Sequence, residues 1–331
     1  TIFVSPLAAG VRMRASFMYL MRCLPAVSNT RFGHVVIIGV GLIGGSLARA
    51  LKERGAVERI TGVARSSQTL NKALQLGVVD AVEANAATAA RDADMIVLAT
   101  PVATIRTLLE TMLDAIPAHC IVTDAGSVKG SVVDAARAVL GDRVGQFIPG
   151  HPIAGTEESG VEASFPSLYQ NRRVILTPLP ENRSEDVQQV RDLWEICGAT
   201  VVEMPVTEHD AILAATSHLP HLLAFALVDF LSARDNQNEI FANSAGGFRD
   251  FTRIAASNPV MWRDICLANR EQLIPLLGDV QAQLAGYAAL LEQGDGEALE
   301  QAFKRAKAAR DELPGIVASG LAGTQADDGK D

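Results

Sequence analysis

The sequence predicts an α/β fold: a doubly wound parallel sheet in the first half, followed by an all-α domain. Three observations carry that expectation. From His34 onward, short apolar, β-branched runs alternate with amphipathic helical stretches, the pattern of a parallel sheet covered on both faces. A glycine-rich turn stands between the first run and the first helical stretch. Strand signals then stop after Pro205, and the remaining chain is helical in length and period.

The expected strands are His34–Ile38, Arg59–Val63, Met95–Ala99, Cys120–Thr123, Gln146–Ile148, Val174–Leu176 and Thr200–Glu203. Leu42–Arg54 and Ala103–Ala115 are helix-like segments between them. In the second half, Glu208–Ser232, Trp262–Ala289 and Asp295–Glu312 read as helices. The apolar face of Leu219–Leu231 must be buried, against a second subunit or inside a bundle core. The expected division is an N-terminal extension over 1–33, a dinucleotide-binding domain over 34–204, a helical domain over 205–314 and a tail over 315–331. The extension holds Arg12, Arg14, Arg22 and Arg31 with no Asp or Glu, and reads as disordered or non-native rather than as a targeting segment. Its apolar run around Phe17 to Met21 is too short to span a bilayer.

A content of 48% hydrophobic and 20% charged residues is that of a folded chain. The net charge of −9 argues against nucleic acid as the main partner, and an anionic substrate would need a local cationic pocket. No membrane partner is expected. Cys23, Cys120, Cys197 and Cys266 are dispersed, with no CxxC spacing, as for free thiols of a reducing compartment such as the cytoplasm.

Gly39-Val40-Gly41-Leu42-Ile43-Gly44 is a GxGxxG turn in the context that gives it meaning, with a strand before it and a helix after it. Gly39 permits the tight turn, Gly41 admits a pyrophosphate, and Gly44 lets helix and strand approach, as in a Rossmann-type domain. NAD-binding domains place an acid at the end of the second strand. Here Ala64 occupies that place, followed by Arg65, Ser66 and Ser67. The balance leans to NADP, held through Arg65 and Ser66, with NAD as the alternative. Thr100, Pro101 and Val102 close another strand at the carboxyl edge of the sheet and are expected to line the same crevice.

Asp124-Ala125-Gly126-Ser127-Val128-Lys129 and Gly150-His151-Pro152-Ile153-Ala154-Gly155-Thr156-Glu157 are expected as loops on the nicotinamide side. His151, between Gly and Pro, is a candidate general base because an imidazole titrates near working pH. Ser127 would orient that ring or share its proton; a plain helix cap is its blander role. The helical half offers His209, then Ser217-His218-Leu219-Pro220-His221. His218 and His221 would share a helix face, and zinc binding is disfavoured because no third ligand stands near. Gly246-Gly247-Phe248-Arg249-Asp250-Phe251-Thr252-Arg253 sets two arginines beside a double glycine, suited to gripping a carboxylate in two parallel hydrogen bonds.

The strings GVGLIGGS, DAGSVK, GHPIAGTE, SHLPH and GGFRDFTRIA…MWRD, in that order from about His34 to about Leu313, resemble those of the prephenate/arogenate dehydrogenases of tyrosine biosynthesis. The resemblance implies oxidative decarboxylation of prephenate, arogenate or both, with hydride transfer to NAD(P). It implies that His151 takes the ring-hydroxyl proton, that Ser127 positions it, and that Arg253 binds a substrate carboxylate with His221 nearby. Thr156, Glu157, His209, Ser217, Gly247, Asp250 and Trp262 match positions that line or brace the site. It further implies a homodimer built through the helical domain, and no feedback through an appended regulatory domain. Two rivals stand beside it: another two-domain β-hydroxyacid or imine dehydrogenase, which would ordinarily use a lysine base, and a non-catalytic NADP-sensing protein.

Overall fold

A computed structural model of the protein describes residues 32–156 and 158–322. The expected N-terminal extension up to Arg31, with Cys23, as well as Glu157 and residues 323–331, lies outside the described residues. Strand β1 (Phe32–Ile38) is central, flanked by β2 (Val57–Val63) and β4 (Met95–Leu98). With β3 (Ala81–Glu83), β5 (Ile121–Asp124) and β6 (Phe147–Ile148) they form one parallel sheet in the order β3-β2-β1-β4-β5-β6. Along β1, Val35 and Ile37 enter one apolar cluster and Val36 and Ile38 the other. Each such buried side chain contributes about 1.5–3 kcal/mol, so an unbroken apolar run is stable only between two covering layers. Helices α1 (Leu42–Glu53), α2 (Ser67–Gln75), α3 (Ala86–Ala90), α4 (Ile105–Met112), α5 (Gly130–Leu140) and α6 (Ser184–Ile196) belong to this half. Chain order reverses between β1 and β4, which opens a crevice at their carboxyl ends.

The later strands do not extend this sheet. β7 (Gly150–Pro152), β8 (Arg173–Leu176) and β9 (Thr200–Glu203) make a second, three-stranded sheet in which β7 runs antiparallel to β8. Pro149 separates β6 from β7 and has no N–H to continue a ladder; its carbonyl instead accepts Thr177 N at 3.0 Å. His151 is therefore a buried strand residue and not the loop residue expected from its Gly and Pro neighbours.

In the helical half, α7 (Val206–Leu213), a π turn (Ala214–His218) and α8 (Leu219–Ser232) form one continuous run. Pro220 follows the π turn and removes a ladder hydrogen bond, a recognised cause of such irregularity. Then come α9 (Gln237–Ala242), α10 (Gly246–Thr252), a 3-10 turn over Arg253–Ala256, and α11 (Pro259–Ala268). The helices α12 (Arg270–Gln293) and α13 (Gly296–Ala322) complete the described chain. The single helix expected over Trp262–Ala289 is broken at Asn269, whose amide turns into the core to bind the Asp210 carbonyl at 2.9 Å. The last helix passes through Pro314, where a tail was expected, and runs on to Ala322.

Candidate active site

The dinucleotide crevice has the shape its glycines call for. Gly39 turns at φ +100°, and a Cβ there would lie 2.3 Å from the Ala99 carbonyl. A Cβ on Gly44 would lie 2.3 Å from the Gly39 carbonyl, so α1 packs on β1 only through glycine. A Cβ on Gly41, by contrast, meets nothing within 4 Å. Its backbone faces open space at the N-terminus of α1, where unpaired N–H groups attract phosphate. A cavity of about 400 Å³ runs from Gly39, Val40 and Gly41 past Ala64, Arg65, Ser66 and Thr69 to Thr100 and Pro101. These residues fit a dinucleotide. Leu42 is buried in the core, the Ile43 carbonyl accepts Tyr169 OH at 2.6 Å, and Val102 lines a separate cavity beside Asp264. Ser66 caps α2, accepting Thr69 N at 3.4 Å. Arg65 is exposed and forms no ion pair with a described residue.

Beside the crevice runs a buried chain of hydrogen bonds. Asp210 on α7 accepts the backbone N–H groups of Lys129 and Gly130 at 2.8 Å each and the His209 ring at 2.8 Å. Burial pushes its carboxyl pKa up, but the bonds from His209 and the two backbone N–H groups outweigh it, and the net shift is downward. An ionised carboxylate only accepts, so the His209 proton resides on Nδ1. Burial, with help from Lys129, lowers the His209 pKa against the opposing pull of Asp210. The ring is thus neutral and its Nε2 accepts. The partner of that Nε2 is His151 Nδ1, at 2.8 Å. His151 is held well below the ordinary imidazole range, first by burial, then by His209, Lys129 and His218. Followed from the Asp210 carboxylate, these bonds put the His151 proton on Nδ1. That leaves His151 Nε2 bare, as a general base requires.

A second buried pair holds the strand that carries this base. Lys129 Nζ is fully enclosed and binds the Asp124 carboxylate and the Gly150 carbonyl, the latter at 2.6 Å. Asp124 also accepts Gly126 N at 2.8 Å and Gly150 N at 3.1 Å. The ends of β5 and β7 are thereby clamped together one residue before His151. Burial lowers the Lys129 pKa, and Asp124 opposes it.

The remaining site residues line the helical side. Val128, next to Ser127, packs on Trp262 of α11. His221 stacks on the same indole, centroids 3.6 Å apart and planes 19° from parallel, while His218 meets it edge-on at 6.2 Å. His221 Nδ1 lies 2.8 Å from the Ser217 carbonyl. Burial lowers its pKa and the Arg253 charge adds to the effect, against the Ser217 carbonyl. His218 is pushed down to about 4 by burial; its Nδ1 accepts Asn269 Nδ2 at 3.0 Å, and the Ser127 backbone lies against the ring. His218, Trp262 and His221 thus form one contiguous aromatic group, with His218 near enough to His151, and Arg253 to His221, to lower those imidazole pKa values electrostatically.

The π turn explains how one helix serves both His151 and this group. Over nine residues a regular helix turns by about 900°, which would put His209 and His218 on opposite faces. The wider turn, in which Leu219 N reaches back to Ala214 O, takes up one residue and cuts the difference to about 80°.

Gly247 sits in α10, which packs on α8 and on the turn that begins with Arg253. Thr156 is exposed and its hydroxyl accepts Glu158 N at 3.3 Å. The Ser127 hydroxyl bonds no described residue; the ring partner of His151 is His209. Sequence reasoning assigned no role to Asp124, Lys129, Asp210 or Asn269. The first two stood inside a quoted motif and Asp210 adjoins His209, but nothing local marks Asn269.

A parallel sheet with a dinucleotide crevice at its carboxyl edge, a buried histidine braced by a second histidine and a carboxylate, and a helical second half define a nicotinamide-dependent dehydrogenase. Residues 47–203 match the family model described as "Prephenate dehydrogenase, nucleotide-binding domain", and residues 205–305 match "Prephenate dehydrogenase, dimerization domain". The chain belongs to the prephenate dehydrogenase family. It is 38% identical to the prephenate dehydrogenase of Bacillus subtilis over 282 residues, covering 85% of this chain and 76% of that one. Against the cyclohexadienyl dehydrogenase of Zymomonas mobilis the identity is 36%, covering 85% and 96%. The crystal structure of Aquifex aeolicus prephenate dehydrogenase with hydroxyphenyl propionate and NAD+ superposes with a TM-score of 0.81 at 37% identity, covering 86% of this chain and all of that one.

Proposed function

We propose that the protein oxidatively decarboxylates prephenate, arogenate or both, giving 4-hydroxyphenylpyruvate or tyrosine, carbon dioxide and reduced NAD(P). The observation that carries this reading is the chain Asp210–His209–His151, which ends in a bare Nε2 beside the crevice. His151 takes the ring-hydroxyl proton as the C–H electron pair leaves as hydride. The bond to the ring carboxylate then breaks, its electron pair completes the aromatic ring, and His151 returns the proton to the phenolate oxygen. The nicotinamide cofactor supplies the hydride acceptor, held by the backbone of Gly39 to Gly44 and by Thr100 and Pro101. Arg253 binds a substrate carboxylate. Ser127, whose hydroxyl bonds no described residue, offers the substrate hydroxyl a second hydrogen bond. Thr156, Glu157, Ser217 and Gly247 belong to the substrate side of the pocket.

A lysine-based β-hydroxyacid dehydrogenase is disfavoured, because the buried lysine of this site is already spent on Asp124 and Gly150. Absorbance at 340 nm should rise when prephenate or arogenate is added to protein and NAD(P); no rise with either substrate rejects the reading.

The balance of the crevice favours NADP. Ala64 leaves room where an acid would hold a ribose diol, and the exposed Arg65 stands beside Ser66 in the same cavity. We further infer that the domains divide between 204 and 205 and that two copies associate through the helical half in the cytoplasm.

A further inference from the structure

Three successive residues after β5 are held by the helical half. The Ser127 backbone lies against His218, the Val128 side chain packs on Trp262, and Lys129 N donates to Asp210 Oδ1 at 2.8 Å. Resting on the proposed decarboxylation and the part Ser127 takes in it, we propose that His218 is a positioning residue for Ser127. Asn269 fixes the His218 proton on Nε2, and that proton meets the Ser127 carbonyl, which holds the serine hydroxyl toward the substrate hydroxyl.

The protons follow from the partners. A carbonyl oxygen only accepts, so the 2.9 Å contact with Asp210 O turns the NH2 group of Asn269 toward it. That NH2 has a second proton, and His218 Nδ1 stands 3.0 Å away. Nδ1 therefore accepts, and the ring, kept neutral by burial, carries its proton on Nε2. Both side chains are buried, so water offers neither a substitute partner. The enclosed Nε2–H makes no well-formed hydrogen bond elsewhere. It meets the Ser127 backbone in a contact that favours the protonated ring, as a carbonyl acceptor does. Ser127 is half-buried between buried Gly126 and Val128, so its backbone is fixed while its hydroxyl stays accessible. Asp210 thereby roots two arms. Its carboxylate leads through His209 to the base His151, and its carbonyl through Asn269 and His218 to Ser127. Both arms end at groups assigned to the substrate hydroxyl.

The test compares kcat at saturating substrate, prephenate or arogenate, and saturating NAD(P). His218→Asn keeps a polar atom near the place of Nδ1 and removes the donor at Nε2. It should lower kcat about 3–10-fold, the worth of one neutral hydrogen bond. His218→Gln returns an amide N–H to the neighbourhood of Nε2 and should restore most of that loss. In a Ser127→Ala background, His218→Asn should change kcat by less than about twofold, because the group being positioned is gone. A merely structural role would give neither the rescue nor the coupling. On the wild-type protein, heteronuclear NMR of the His218 ring nitrogens, assigned by their loss in His218→Gln, should show the proton on Nε2. Equal losses in the two variants, a full His218→Asn loss on top of Ser127→Ala, or a proton on Nδ1 would overturn the proposal and leave the oxidative decarboxylation intact. If His218→Asn does not fold, the proton position decides. Turnover of neither substrate by the wild-type protein would overturn both.

Discussion

The proton state of His151 is set by the two residues behind it, His209 and Asp210. Its Nδ1 proton is committed to His209, and the Asp210 carboxylate behind His209 keeps that arrangement. His151→Asn should lower kcat by about 10²–10⁴-fold with little change in cofactor affinity, as steady-state kinetics and cofactor titration would show. The pH profile has a defined sign. The base must be neutral, and its pKa lies below the usual 6.5 because burial disfavours the imidazolium. Activity should therefore be flat around neutrality, and kcat/KM should fall only on acidification below pH 6.5. An acidic limb centred above that value would contradict the buried geometry. At the other end of the cofactor, Ala64→Asp should shift preference from NADP toward NAD, by repelling a 2′-phosphate and binding the ribose diol; the ratio of kcat/KM for the two cofactors measures it.

Some of these elements could be read from the chain and others could not, and the divide follows sequence distance. The β1–turn–α1 unit was legible because its glycines, its strand and its helix are contiguous. So was the helical second half, from period alone. The second sheet was not, because β7 is three residues long and its pairing with β8 is non-local. His151 looked like a loop residue for that reason, and its partner lies 58 residues away. Asn269 had no signal, because its part depends on a helix break that brings its amide to Asp210 and His218. The β5–β7 clamp makes a prediction of its own. Lys129→Met strands the buried Asp124 carboxylate and should cost about 3–5 kcal/mol in urea unfolding. Adding Asp124→Asn should recover much of that loss, since the amide oxygen can still accept a backbone N–H.

At the scale of the whole molecule, three buried histidines tie stability to pH. His151, His209 and His218 have folded pKa values below 6.5, so the unfolded chain binds more protons under mild acid. Their contribution is complete above pH 6.5 and is lost as pH falls through that value toward the folded pKa values. The loss approaches about 1.4 kcal/mol per pH unit for each histidine. The thermal midpoint should drop steeply between pH 6.5 and 5, and less steeply in His218→Gln. The helical half also leaves large apolar side chains uncovered, Phe230, Ile274, Leu284, Leu291 and Phe303 among them. Sedimentation should accordingly report twice the chain mass of 35.1 kDa. The helical run Val206–Ser232 carries His209, His218 and His221 along one continuous element. One rod carries the brace of His151 near its start and the Trp262-stacked His221 beyond its π turn, so the span between them works as a gauge block. Inserting or deleting a residue at that turn would swing His218 and His221 away from Trp262 while leaving the His209 brace of His151 in place.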